Sequence, residues 1–421
     1  DRGEGVWIYD REGNAFIEGV SGLWCASLGY GNHRLINAAK RQMEKLAYGH
    51  LFASKSTEPA IELAEKLIEI APVPMGKVFL ANSGSEANDT MIKMVRYFNN
   101  ARGQFKRKKI ISRKNGYHGV TLAAASLTGL DILHHDFDLP MEGILHTACP
   151  HYYRQAKEGE SEIDFSTRLA DELEKLIQKE GPDTIAAFIA EPVMGAGGVI
   201  LPPEGYFEKI QAVLKRHDIL FVADEVICGF GRLGSMWGSQ IYDIRPDIIT
   251  CAKALSAAYL PISAVLITES IADVISKNAG RLGSFGHGYT YSGHPVASAV
   301  GVETLKIYQE QNIIDHVQEV APILQNGLEE LSAHPLVGQK RGIGLIGALE
   351  LVRDKATKTS FQKELKIAAL LTSKAQDRGL IIRPLPGDVV ALCPPLVSDQ
   401  KILELIIDKL AAALDDVKKS L

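Results

Sequence analysis

Short apolar, β-branched runs alternate along this chain with longer stretches whose apolar positions recur at helical spacing. The short runs are KVFLAN (77–82), KKIISR (108–113), IAAFIAEPV (185–193), ILFVADEV (219–226), PDIITCA (246–252) and PISAVLIT (261–268). They predict the strands of an α/β fold on a largely parallel sheet. Between them, TEPAIELAEKLIEIA opens on a Thr cap with a Pro near the first turn, and SEANDTMIKMVRYFNNAR gathers its apolar residues on one face. The opening VWIYDREGNAFIEGV reads as a hairpin, two alternating runs about turn-forming residues. The last third changes character: amphipathic helices are expected over 301–333, 363–378 and 399–419, with strands at GLIGALELV and VVALCPP. The pattern therefore predicts a large domain over 50–300 and a smaller α+β domain built from 1–49 and 301–421.

Composition narrows the function classes. With 421 residues, 46% hydrophobic and 23% charged, the chain can bury large cores. A net charge of -5 with no long basic block argues against nucleic acid and against a membrane surface. No apolar run reaches the roughly 20 residues of a membrane span. Five scattered cysteines without CxxC pairs suit reduced thiols and a cytoplasmic protein, and a thiolate metal site is not expected. The chain opens on DRGEGVWIYD without methionine, so preceding residues are expected to be processed away or left out.

The candidate chemistry starts at Lys253, the one charge inside the apolar stretch that follows Pro246-Asp247. It is either a strand-end lysine reaching solvent or a desolvated amine able to attack a carbonyl and form a Schiff base. Upstream, Asp224 ends a buried strand, and parallel strands bring ligands to their carboxyl edges. A carboxylate there could hold a pyridine nitrogen protonated, as pyridoxal phosphate chemistry requires. NSGSEANDTMIKM passes from strand through Ser83-Gly84-Ser85 into a helix, which offers either a plain N-cap or a phosphate cradle. Tyr117, in YHG, supplies an aromatic face or a half-buried core ring.

In this order, NSGSEAND, YHG, EPV, DEVICGFGR, CAKALSAAYLP and YTYSGHP resemble the class III pyridoxal-phosphate aminotransferases of fold type I over essentially the whole chain. GLWCASLGYG, AKALSAAYLPISA and RPLPGDVVALCPPL are similar to the omega-aminotransferase branch that uses pyruvate. The resemblance implies that Lys253 forms the internal aldimine with pyridoxal 5'-phosphate and Asp224 pairs with the ring nitrogen. Val226 and Tyr117 would sandwich the ring, Gly84 and Ser85 would hold the phosphate, His118 would belong to the cofactor site, and Glu191 would lie near the O3′ side. Thr290 would reach the phosphate of a partner subunit, so the active sites of a homodimer would be shared; a tetramer is left open. Trp24, Leu51 and Phe52 would wall the substrate pocket, Phe52 from the other chain, with Arg383 binding an acceptor carboxylate. Leu51 and Ser54 depart from members with an aromatic or an arginine there, which implies a less aromatic, less cationic pocket.

The expected function is ping-pong transfer of an amino group from a primary amine or omega-amino acid to a keto acid, pyruvate before 2-oxoglutarate, with the amine donor left open. Within the fold, aminomutase or decarboxylase outcomes and a 2-oxoglutarate-dependent diamine or diamino-acid aminotransferase are the alternatives, and a non-catalytic cofactor binder is a remote one. GIGLIG (342–347) matches GxGxxG but runs into a strand-like segment, against a dinucleotide site. His134, His135, Asp136 and Asp138 lack helical ligand spacing and read as loop residues, so no metal is expected.

Overall fold

The computed structural model describes residues 1–421. Three strands open the chain: β1 (Arg2–Glu4), β2 (Trp7–Tyr9) and β3 (Ala15–Glu18). The central sheet follows, made of β4 (Lys77–Ala81), β5 (Lys109–Arg113), β6 (Ile144–Thr147), β7 (Ile185–Ala190), β8 (Leu220–Asp224), β9 (Ile248–Cys251) and β10 (Ser263–Ile267). The C-terminal part adds β11 (Val337–Ile343), β12 (Ile346–Leu351), β13 (Leu380–Ile381), β14 (Arg383–Leu385) and β15 (Val389–Leu392). All six strands expected for the central sheet are present. The edge strand β6, whose ILHT carries no strong apolar run, was not legible.

The central sheet runs β4-β10-β9-β8-β7-β5-β6. Only β10 is reversed, pairing antiparallel with both β9 and β4. The cause is local. Residues 252–262 between β9 and β10 hold a single 3-10 turn, Lys253–Ser256, too short for the helical crossover of about a dozen or more residues that a parallel return needs. Lys253 therefore sits at the sharp corner of the sheet.

Helices cover both faces, which is why these strands read as unbroken apolar runs. On one face Ala87, Met91 and Val95 of the helix Gly84–Ala101 pack on Ile110, Val222, Ile248 and Val265. On the other, Phe165, Leu169 and Leu173 of the helix Glu162–Glu180 meet Phe188 and Phe221. The chain ends meet, because β13 pairs parallel with β3. The opening hairpin forms as expected, with Tyr9 opposite Ala15. GIGLIG turns between β11 and β12 with Gly344 at φ 58°, and no helix follows to hold a dinucleotide.

The long helix expected over 301–333 is two helices, Pro295–Glu310 and Ile313–Leu331. Pro295 starts the first, ahead of the expected boundary, as a proline at the first helical position does. Asn312, at φ 48° and ψ 44°, breaks the run; asparagine tolerates the left-handed region. No helix is long and apolar enough to cross a membrane.

Candidate active site

The parallel register brings three chemical groups to one edge. Ala190 lies opposite Ala223, and Asp224 opposite Thr250. Glu191 then follows β7, Asp224 ends β8, and Lys253 begins the turn after β9. They line a cavity of about 230 Å³, together with Trp24, Gly84, Ser85, Asn88, Tyr117, His118, Val226 and Arg383. A larger groove of about 910 Å³ runs over residues 202–221 and 240–247 but contains none of these groups; chemistry, not volume, singles out the smaller one.

Asp224 is the most restrained group. Its Oδ2 accepts from His118 Nδ1 at 2.8 Å and from Asn88 Nδ2 at 3.0 Å, while Oδ1 accepts from the Val226 N–H at 3.1 Å. An ionised carboxylate only accepts, so His118 carries its proton on Nδ1. Asn88 also donates to the His118 carbonyl at 2.6 Å, which fixes both residues to one another.

The Lys253 amine makes no hydrogen bond, and the residue lines the cavity. Burial lowers its pKa below the ordinary lysine value, with the Asp224 carboxylate opposing the shift. Its backbone sits at φ 50°, a conformation that costs a non-glycine residue energy and is concentrated at functional sites. Glu191 is buried, and burial raises its pKa. Its two oxygens accept from the backbone N–H of Tyr117 (3.0 Å) and of Gly195 (2.9 Å). The carboxylate thus braces the segment that carries Tyr117 as well as facing the cavity.

The glycine-serine turn is an N-cap whose helix starts at the cavity. Ser83 caps the helix Gly84–Ala101 by accepting from the Glu86 N–H at 3.2 Å. Gly84 opens the helix where a Cβ would approach the Val226 methyls at 3.2 and 3.3 Å. Ser85 Oγ accepts from the Val120 N–H at 3.1 Å, and a Cβ on Gly119 would lie 2.6 Å from that oxygen. An anion at this helix start meets free N–H groups and the positive end of the dipole.

On the opposite wall, the Arg383 guanidinium carbon stands 4.9 Å over the Trp24 ring, a cation–π contact. Trp24 itself is held at φ 56°, two residues after Gly22 at φ 65°. Four cavity residues bear buried polar atoms without partners: Trp24 Nε1, Asn88 Oδ1, His118 Nε2 and Arg383 Nε. Gathered in one cavity, such atoms are available to a ligand or to water. An unpaired amine, a carboxylate presenting one oxygen edge and a phosphate-ready helix start fit pyridoxal phosphate in donor set and charge.

Not every expected site residue lies here. Leu51 packs against Leu80 and Gly293, and Phe52 is 44% exposed with its ring against Gly288. Thr290 is exposed, and its carbonyl accepts from Tyr48 Oη at 2.9 Å. None of the three lines the cavity of its own chain. Conversely, the sequence reading assigned no role to Asn88, although its spacing from Gly84 places it on the same helix face.

The whole chain matches known proteins. Residues 1–414 match the family described as Aminotransferase class-III. A relative named probable gamma-aminobutyrate transaminase 3, mitochondrial, from Oryza sativa subsp. indica is 52% identical over 415 residues, covering 98% of this chain and 81% of the relative. The crystal structure of the omega transaminase from Pseudomonas jessenii in complex with PMP is 53% identical, with a TM-score of 0.98, covering 100% of this chain and 92% of that one. A thermostable omega transaminase variant engineered for asymmetric synthesis of enantiopure bulky amines, with a tryptophan, a phenylalanine and an arginine replaced, is 52% identical with a TM-score of 0.98, covering 100% and 93%. The chain belongs to the class III aminotransferases, pyridoxal-phosphate enzymes of fold type I.

Proposed function

We propose that this aminotransferase takes the amino group of a short omega-amino acid or primary amine and delivers it to pyruvate, forming alanine, in two half-reactions that share one pocket. The observation that carries the acceptor is the count of cations. Arg383 is the only cation lining the cavity besides Lys253, and Lys253 is needed for chemistry. One guanidinium can hold the single carboxylate of pyruvate; the second carboxylate of 2-oxoglutarate would be left without a partner. The same arginine would serve the far carboxylate of a donor of the γ-aminobutyrate kind, the substrate that the rice relative's name carries. The engineered relative supports the pocket walls: its three replaced residues stand at the same separations along the chain as Trp24, Phe52 and Arg383.

When bound, the cofactor supplies a reactive aldehyde and a ring that accepts electron density from the substrate carbon. Lys253 would hold the cofactor's aldehyde, and its free amine would carry a proton to and from the substrate carbon. Its depressed pKa raises the share of free amine near neutral pH, the form a general base needs. Asp224, oriented by His118 and Asn88, keeps the ring nitrogen protonated and so favours charge on the ring. Gly84 and Ser85 would hold the phosphate, Tyr117 and Val226 would face the ring, and Trp24 would narrow the substrate side.

A homodimer completes this reading. Phe52 and Thr290 are displayed on the surface near Tyr48 and Tyr291, whose rings meet edge to face at 5.9 Å. A second copy seated there would receive Phe52 as a pocket wall and Thr290 as a phosphate ligand. The five unpaired thiols suit a reducing, cytoplasmic compartment.

The test is alanine formation by the purified protein loaded with cofactor, over a panel of ω-amino acids, diamines and aryl amines. Pyruvate should exceed 2-oxoglutarate in kcat/KM by at least about tenfold, one lost charge-assisted contact. Arg383→Ala should lower use of carboxylated partners by about 100-fold and leave simple amines and aldehydes within about threefold. Equal losses on both would refute the role given to Arg383. Carbon dioxide release or internal amine migration without alanine would select the decarboxylase or aminomutase outcome instead.

A further inference from the structure

We infer that Arg341, on β11 and outside the cavity, is a positioning residue for the cofactor ring, acting through the 194–200 loop and Glu191 on Tyr117. The inference rests on the cofactor of the family and not on the choice of amine donor.

Arg341 is 6% exposed and forks in two directions. Its Nη1 donates to the carboxylate of Glu350, on the neighbouring strand β12. Its Nε and Nη2 both donate to the Gly198 carbonyl, at 3.0 and 2.8 Å. The loop so gripped is rigid: Val199 N–H donates to the Gly195 carbonyl at 3.0 Å, and Met194 bridges Ile200. Gly195 N–H then donates to one Glu191 oxygen at 2.9 Å, and the other oxygen accepts from Tyr117 N–H at 3.0 Å. The loop also lies hard against the segment before Tyr117, since a Cβ on Gly197 would come within 2.1 Å of the Asn115 carbonyl oxygen.

Each link is a hydrogen bond, buried at Gly198 and Gly195 and part-buried at Tyr117, so a displacement at Arg341 has few ways to dissipate before Tyr117. The sheet that bears Arg341 also bears Arg383, on β14. Movement of that sheet as Arg383 takes or releases a carboxylate would reach the ring through this route, and binding at either place would strengthen the other. A purely structural ion cluster predicts something different. Glu350 is held by two cations, Arg341 and Arg154, and the hydrogen bonds of Arg154 go to Glu350 and to the Lys358 carbonyl, not to the loop. Removing Arg154 leaves a balanced Arg341–Glu350 pair and the grip on Gly198.

The experiment titrates pyridoxal 5'-phosphate into apoprotein, reading bound cofactor by absorbance, with thermal unfolding of each apoprotein in parallel. Arg341→Met should raise the cofactor Kd about tenfold, within the usual range of coupling between sites. Arg341→Lys keeps a charge opposite Glu350 and so protects folding, but one ammonium cannot also reach Gly198; it should show a similar loss. Arg154→Met should lower the apoprotein Tm yet leave Kd within about twofold. Combined with Glu191→Gln, Arg341→Met should add little, because both cut one route. The inference is overturned by wild-type affinity in both Arg341 variants, by an equal loss in Arg154→Met, or by additive losses in the double variant. A wild-type apoprotein that took up no cofactor would overturn the family's cofactor here together with the inference.

Discussion

Two sets of buried charges occupy this chain, and they differ in what they leave undone. Around Glu350, two guanidiniums meet one carboxylate, and no polar side-chain atom of Glu350, Arg341 or Arg154 is buried without a partner. Around Asp224, Lys253 stands without a hydrogen bond, and Asn88, His118, Trp24 and Arg383 each keep an unmet buried atom. A saturated cluster has nothing more to bind and can act only through what it already holds, such as the Gly198 carbonyl. An unsaturated one carries a standing cost that a ligand can relieve. At the cavity the unmet groups are gathered around one carboxylate and one amine, and that contrast can be attacked directly.

The sharpest attack removes the unpaired amine. Lys253→Met should abolish alanine formation, by at least about 10⁴-fold, since both the anchor for the aldehyde and the proton carrier are lost. The same change should stabilise the apoprotein. A lysine whose folded pKa lies below its unfolded value binds fewer protons when folded, so it penalises folding at neutral pH, and the penalty fades as pH climbs toward the ordinary lysine value. Thermal unfolding of apoprotein at pH 7 should therefore show a higher Tm for Lys253→Met than for wild type. A lower Tm would mean that the amine is satisfied after all, and the contrast with the Glu350 cluster would collapse.

Asp224→Asn is the second. It keeps shape and removes charge, so the loss should fall on kcat, by about 10²–10³-fold, the scale of one preorganised electrostatic contact. Cofactor affinity should change less, because the turn at Gly84 and Ser85, proposed to hold the phosphate, is untouched. A fall confined to KM would show that the carboxylate only helps to bind.

These two residues were legible in the sequence for a physical reason. Strand ends follow from short apolar runs, and parallel strands end level, so Asp224 and Lys253 could be placed at one edge without any coordinates. What surrounds them was not legible in the same way. Asn88 reaches Asp224 across 136 positions and Arg341 reaches Gly198 across 143; no local pattern encodes such pairings. Glu191 was read as a cofactor neighbour, but its grip on Tyr117 and Gly195 depends on where two loops settle. The break at Asn312 lay hidden because the apolar spacing continues on both sides of it, and only the left-handed backbone at that one residue ends the first helix. Leu51, Phe52 and Thr290 were expected at the site, yet none lines the cavity of this chain, and no local pattern could say whether a second copy brings any of them there.

The smallest test lies one residue from Asp224. Glu225 is buried and satisfied, accepting from the N–H groups of Gly238 and Ser239 and from Ser239 Oγ, yet burial pushes its pKa up to about 7. It stands between the two kinds of cluster: its oxygens are met, but it has no cation. A carboxyl with a raised folded pKa binds its proton more tightly in the folded state. Its contribution to stability is therefore complete below the ordinary value of 4.5 and is lost as pH rises through about 7. Glu225→Gln cannot titrate, so the Tm advantage of wild-type apoprotein over this variant should be widest in acid and shrink across that window. An advantage that widened with rising pH would show Glu225 to be a stabilised anion, paired with some cation as Glu350 is, and hydrogen bonds alone would then no longer separate its surroundings from that cluster.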